Sequence, residues 1–249
     1  MPPAPSRLGP DERFGLRTTL VGAALLVLAI PFGLLVLLVR DHWAPLRRVD
    51  DSVANGLHPA AVSHPAVVTV MKAVSLLGGP EVVYPLLLVA ALLLYRRGLT
   101  RLAVYVGAAG LGAAVLDKGV KLAVGRSRPL FSDPVAHASG NSFPSGHALG
   151  SLVGYGVLLL VALPLLGRSA RWWVSTAVVL LVASVGYTRV GLGVHYVSDV
   201  LGGWLLGAAW LAAVTGAFRI WRVERGRPAA PLRDGVEPAV AERAPGTAG

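Results

Sequence analysis

Six stretches of the chain are long, apolar and free of charge. The first, residues 18–39 (TTLVGAALLVLAIPFGLLVLLV), runs for 22 residues. The others are 82–95 between Glu81 and Arg96, 102–116 between Arg101 and Asp117, 148–167 up to Arg168, 172–188 up to Arg189, and 200–218 between Asp199 and Arg219. A bilayer span needs roughly 20 mostly apolar residues. The second and third runs are shorter, so each is expected to extend past its flanking charges, which snorkel or face the bundle interior. None shows the period-two alternation of a membrane barrel. The pattern predicts an all-α membrane protein with six transmembrane helices.

Residues 64–77 (HPAVVTVMKAVSLL) are too short and interrupted to span, and predict an interfacial helix in the first outer loop. Residues 1–15 and 223–249 carry Pro, Ala, Gly and Arg without an apolar period and are expected to be disordered tails flanking a membrane domain at 16–222. The first run exceeds a signal-peptide core of about 7–15 residues and is followed by Arg40 and Asp41, not a small-residue cleavage site, so it is expected to stay as an anchor. No internal repeat is evident.

Composition agrees with this class. Charged residues make up 14% of the 249 positions, against about 25% in a soluble domain, and mean hydropathy is +0.64. The net charge of +10 is explained by loop positions and does not require nucleic acid. With the N-terminus in the cytoplasm, the inner segments hold fourteen of the 23 basic residues, among them Arg96, Arg97, Arg101, Arg168 and Arg171. Both termini are then expected inside, with Trp172, Trp173 and Trp221 at the inner boundary. The basic run from Arg219 to Arg227 would meet anionic headgroups there. The expected location is the plasma (inner) membrane. There is no Cys, which excludes disulfides and thiolate metal sites.

That topology puts three polar stretches on the outer face. They are Lys121-Leu-Ala-Val-Gly-Arg-Ser-Arg128-Pro129, Pro144-Ser145-Gly146-His147, and Thr188-Arg189 through His195 to Asp199. Lys121, Arg128 and Arg189 are three cations with few carboxylates nearby, which suits a phosphate. Ser145, Gly146 and His147 open a helix, whose free N–H groups and dipole attract anions. His195 and Asp199 are four apart and share a helical face, so Asp199 can orient the imidazole. His147 is a second imidazole for acid–base work. Two histidines allow a covalent route, one attacking phosphorus while the other protonates the leaving oxygen.

Taken singly, these residues have plainer readings. Lys121 pairs with Asp117 at i,i+4, His147 caps a helix, His195 and Asp199 form a structural pair, and Arg189 anchors a boundary. Asp50-Asp51 reads as a solvated pair, and His42, His58, His64 and His137 as ordinary loop residues. Asp133 and Asn141, in the 130–143 loop, are lesser candidates for lining the site, with an ordinary loop role the plainer reading.

Together the three stretches resemble the signature of the type 2 phosphatidic acid phosphatase family, related to vanadium haloperoxidases: KxxxxxxRP, PSGH and SRxxxxxHxxxD. Lys121, Arg128 and Pro129 match the first, Pro144 to His147 the second, and Arg189, His195 and Asp199 the third, with Thr188 in place of Ser. The resemblance spans roughly residues 20–220. It implies His195 as a nucleophile forming a phosphohistidine, Asp199 as its orienter and His147 as general acid. Lys121, Arg128, Ser145, Gly146 and Arg189 would hold the phosphate oxygens. It implies no metal and no cofactor. The expected function is hydrolysis of a lipid phosphomonoester or diphosphate (phosphatidic acid, phosphatidylglycerophosphate or undecaprenyl diphosphate) on the extracytoplasmic face. The partners are that substrate and the surrounding membrane lipids. A phosphotransferase using the same site is the alternative, and a non-catalytic six-span transporter or a haloperoxidase is less well supported.

Overall fold

A computed structural model describes residues 10–132, 134–224 and 235–236. Asp133, residues 1–9 and the rest of the C-terminal tail lie outside the described residues. Among the described residues there are eight α-helices: α1 (Pro10–Arg40), α2 (Ala44–Val62), α3 (Pro65–Leu77), α4 (Pro80–Arg96), α5 (Thr100–Val124), α6 (Gly146–Ala162), α7 (Arg168–Gly191) and α8 (Val197–Glu224). A short 3-10 turn, Leu163–Leu165, follows α6. No strand occurs among the described residues.

Among the described residues five helical runs are long and apolar enough to cross a bilayer: Pro65–Arg96, Thr100–Val124, Gly146–Leu165, Arg168–Gly191 and Val197–Ile220. There are six if Leu26–Arg40 and Ala44–Val62, bent by 88°, count as one span. The α1 helix starts at Pro10, within the stretch read as an N-terminal tail. The helix expected at 64–77 forms as α3, but it continues through Gly78 and Gly79 into α4 as one apolar run of 32 residues. The helix turned sharply away from its neighbour is instead α2, which hydropathy alone passes over because its polar and apolar residues balance. It buries Asp50, Ala54, His58 and Ala61, spaced 4, 4 and 3 along one face. Asp50 and His58 are therefore buried helix residues, not loop residues in water.

The central helix is α6, which packs on α4, α5, α7 and α8. The main core joins Val83 and Leu87 of α4, Leu102, Tyr105, Val106 and Ala109 of α5, Leu149, Val153 and Val157 of α6, and Leu206 and Phe218 of α8. Between lipid-soluble helices the hydrophobic effect gives little drive, so close packing and polar links matter more. Gly203 of α8 supplies one close approach, since a Cβ there would lie 2.6 Å from the Ser145 carbonyl oxygen. Tyr105 and Thr215 hydroxyls bond at 2.8 Å, and the Trp210 indole N–H donates to the Ala109 carbonyl at 2.9 Å. Outward positions such as Val27, Leu88, Leu111 and Val179 stay apolar and exposed, as a lipid-facing surface requires.

One part of the C-terminal stretch departs from the expectation of a tail without structure. Gly235 and Val236 are buried, and the Val236 N–H donates to the Leu160 carbonyl at 3.2 Å. In a regular helix that carbonyl would accept from residue 164, but Pro164 has no N–H. The tail satisfies the orphaned acceptor.

Candidate active site

Three chain turns meet at one end of α6. The first follows α5, which stops at Gly125 in a left-handed conformation (φ 69°). Beyond it the Ser142 N–H donates to the Arg126 carbonyl at 2.8 Å and the Ser142 hydroxyl to the Ser127 carbonyl at 3.0 Å. These bonds fix the backbone that presents Arg126 and Arg128. The second turn is the start of α6, whose N-cap Ser145 is fully buried. Its N–H donates to the Asp199 carbonyl at 2.9 Å, tying the α6 start to α8. The third joins α7 to α8 through Gly193, whose φ of 72° suits glycine, and carries His195.

His195 is buried, with Nδ1 3.3 Å from Asp199 Oδ2 and Nε2 3.1 Å from Arg128 Nη1. A guanidinium can only donate, so Nε2 accepts and keeps its lone pair at that atom. Nδ1 then carries the hydrogen and donates to Asp199. Burial lowers the His195 pKa to about 4; Asp199 opposes this, while Arg128 and Arg189 add to it. The imidazole is neutral at pH 7, the form a nucleophile needs. Arg128 is anchored by carbonyls, donating to Val194 at 2.8 Å, Gly140 at 3.0 Å and Ser139 at 3.1 Å. Burial lowers its pKa as well.

Beside His195 lies a cavity of about 550 Å³. Lys121, Arg128, Gly146, His147, Arg189 and His195 all line it. The structure thus gathers six of the eight predicted residues around one space. The other two sit behind it. Asp199 backs His195, and the Ser145 hydroxyl accepts from the Ala148 N–H at 3.4 Å as a helix cap. Lys121 Nζ is 2.7 Å from Asp117, so the plain i,i+4 pair exists and lines the cavity at the same time. Gly146 faces this pair closely: a Cβ there would lie 3.0 Å from Nζ and 3.1 Å from the carboxylate oxygens. Arg189 donates to the Ser75 hydroxyl through Nη1, while its buried Nε has no partner. His147 makes no side-chain hydrogen bond among the described residues, which leaves it open to a ligand.

Several residues sit elsewhere than expected. The Thr188 hydroxyl turns back to the Val185 carbonyl at 2.7 Å, away from the cavity. Asn141 donates to the Lys121 carbonyl at 2.7 Å, and so caps α5 without lining the cavity. His58 stacks on Phe131 at 3.9 Å, whereas His137 does reach the cavity rim. Ser75, Glu81, Tyr84 and Asp117 line the cavity without having been foreseen. Asp50, Arg126 and Ser198 were also missed, although the burial of Asp50 is legible in its register with Ala54 and His58. Among the described residues no group of three His, Asp or Glu side chains is placed to hold a metal ion.

Comparison with known proteins agrees with this geometry. The sequence profile of the PAP2 superfamily matches residues 98–222, which contain all three stretches. Phosphatidylglycerophosphatase B of Bacillus subtilis (strain 168) is 33% identical over 190 residues, covering 73% of this chain and 89% of its own. An undecaprenyl-diphosphatase of Sulfolobus acidocaldarius is 39% identical over 72 residues, 28% of this chain and 30% of its own. The crystal structure of the transmembrane PAP2-type phosphatidylglycerolphosphate phosphatase from Bacillus subtilis superposes with a TM-score of 0.67 at 28% identity, covering 78% of this chain and 95% of that one. The structure of Aquifex aeolicus LpxE shares the fold, with a TM-score of 0.52 at 22% identity over 66% of this chain and 93% of that one. With this coverage and these phosphatase relatives, the chain is a multi-pass membrane member of the PAP2 superfamily of phosphatases.

Proposed function

We propose that the protein hydrolyses a lipid phosphomonoester or diphosphate through a phosphohistidine at His195, on the extracytoplasmic face of the plasma membrane. The observation that carries this reading is His195, backed at Nδ1 by Asp199 and bordering a cavity lined by Lys121, Arg128 and Arg189; its Nε2 accepts from Arg128 and is freed for attack when that guanidinium turns to the phosphate oxygens. In the first step Nε2 attacks phosphorus and the bond to the leaving oxygen breaks. Protonated His147 gives its proton to that oxygen. A bound phosphate dianion beside His147 favours its charged form. In the second step His147 takes a proton from water, the hydroxide attacks the phosphoryl group, and the P–N bond breaks to release inorganic phosphate. The three cations and the α6 N–H groups neutralise the equatorial oxygens.

The lipid class rests on the setting. Leu76, Val83 and Tyr84 share the cavity wall with the cations, so one space offers charge for a headgroup and apolar surface for a chain. Phosphatidylglycerophosphate and undecaprenyl diphosphate are the candidates that the relatives' names suggest. Loop charge supports the orientation, with both termini in the cytoplasm.

Phosphate release by detergent-purified protein from phosphatidic acid, phosphatidylglycerophosphate, undecaprenyl diphosphate and a water-soluble ester tests the reading. Release from at least one lipid, lost in His195→Ala, is expected. Equal release by the variant overturns it.

A further inference from the structure

Arg126 does not line the catalytic cavity. Its guanidinium bridges two buried carboxylates instead, reaching Asp199 Oδ1 through Nη1 at 2.7 Å and Asp50 Oδ2 through Nη2 at 2.8 Å. Asp50 comes from α2, remote in sequence, and is only 1% exposed. Its Oδ1 accepts the Ser198 N–H at 2.9 Å, and its Oδ2 accepts the Ser198 hydroxyl. Arg126 Nη1 also donates to that hydroxyl at 2.6 Å. The guanidinium lies 4.2 Å over the ring of Tyr196, whose N–H donates to Asp199 Oδ2 at 2.9 Å.

The result for Asp199 is a carboxylate fixed at both oxygens. Oδ1 is taken by Arg126, and Oδ2 is shared between the Tyr196 N–H and His195 Nδ1. Arg126 meets Asp199 through Nη1 alone, and Asp50 holds the rigid guanidinium at Nη2, so the position of Nη1 is fixed from the α2 side. Without Arg126, Oδ1 would lose its partner and the carboxylate could rotate, taking the acceptor of His195 with it. We propose that Asp50 and Arg126 are positioning residues for the hydrolytic reaction: α2 holds Arg126, Arg126 holds Asp199, and Asp199 aims His195. This rests on the reading of His195 as nucleophile. It also gives α2 a task in the chemistry, since its Asp50 holds Arg126, which in turn bonds Asp199.

Coupling between variants tests the proposal. Kinetic constants would be measured for Arg126→Gln, Arg126→Lys and Asp50→Asn, each alone and combined with Asp199→Asn. Removing the outer partner of a metal-binding histidine typically costs about 10–100-fold, and a comparable factor is expected for an outer partner here. Arg126→Gln is expected to lower kcat by about that factor with KM changed less than about threefold, and Arg126→Lys, which reaches one carboxylate, by less. In the Asp199→Asn background the same substitution should change kcat by less than about threefold, because the group it acts through is already impaired. Equal losses in both backgrounds, a loss confined to KM, or no loss overturns the proposal. Should Arg126→Gln fail to fold for want of a cation between two carboxylates, Asp50→Asn removes a charge instead and carries the same comparison. Full activity in Asp50→Asn contradicts the proposal. Wild-type activity in His195→Ala would overturn the phosphohistidine reading instead, whatever Arg126 does.

Discussion

At His195 the decisive feature is which nitrogen keeps its lone pair, and Arg128 settles it by offering only donors. His195→Ala and His147→Ala should each lower phosphate release by about 10³-fold or more, as removal of a nucleophile or its proton partner does elsewhere. His64→Ala, on an exposed residue whose side chain bonds to Ser63 and the Ala60 carbonyl away from the cavity, should leave it unchanged. Equal losses at all three would contradict the assignment. The lowered His195 pKa gives a pH prediction with a clear sign. Protonation removes the nucleophile, so activity falls as pH drops through the folded pKa, about 4, and not through an ordinary imidazole's 6.5. At pH 5.5 an ordinary imidazole is about 90% protonated, whereas His195 stays neutral. The acid limb of kcat/KM should therefore lie between about pH 4 and 5, once the substrate's own second ionisation near pH 6 is separated. A residual limb at 6.5 would contradict this. The grouping of Lys121, Arg128, His147, Arg189 and His195 around one cavity was legible, because their three stretches match a family signature, and His195 with Asp199 also share a helical face. Asp50 and Arg126 were not. Their partners come from distant elements: the register of Asp50 with Ala54 and His58 signals burial but not its partner, and Arg126 in a loop carries no local signal.

The helices bring these residues together by close approach. Gly203 lets α8 touch the start of α6, where a methyl group would press on the Ser145 carbonyl. Gly203→Ala should destabilise the protein by about 1–3 kcal/mol, the usual range for overpacking, and reduce kcat because Ser145 and Gly146 move with the displaced turn. Thermal unfolding and kinetics on the same preparation check both effects, and an unchanged melting temperature with full activity would refute the contact. At the other end of α6, Val236→Pro removes the N–H that meets the Leu160 carbonyl. It should cost about 1–2 kcal/mol while leaving kcat/KM intact. Hydropathy sufficed for α4 to α8, since a charge-free run has few alternatives in a bilayer. It failed for α2, whose balanced composition hides an amphipathic period. It also failed to show α3 running on into α4, because a Gly-Gly-Pro step reads as a break whether or not the axis turns.

For the molecule as a whole, the proposed orientation rests on loop charge, which favours both termini in the cytoplasm and the proposed site on the other side. A reporter fused after Gly249 is expected to behave as cytoplasmic; a periplasmic result would invert the topology and move the site to the other side. The central claim is that the phosphoryl group passes through His195, and rapid quenching under alkaline conditions tests it directly. A lipid substrate labelled at the cleavable phosphate should leave label on the protein that is stable to base, lost in acid, and mapped by mass spectrometry to residue 195. Wild-type turnover with no label under conditions that preserve phosphohistidine, or label on another residue, would contradict the account.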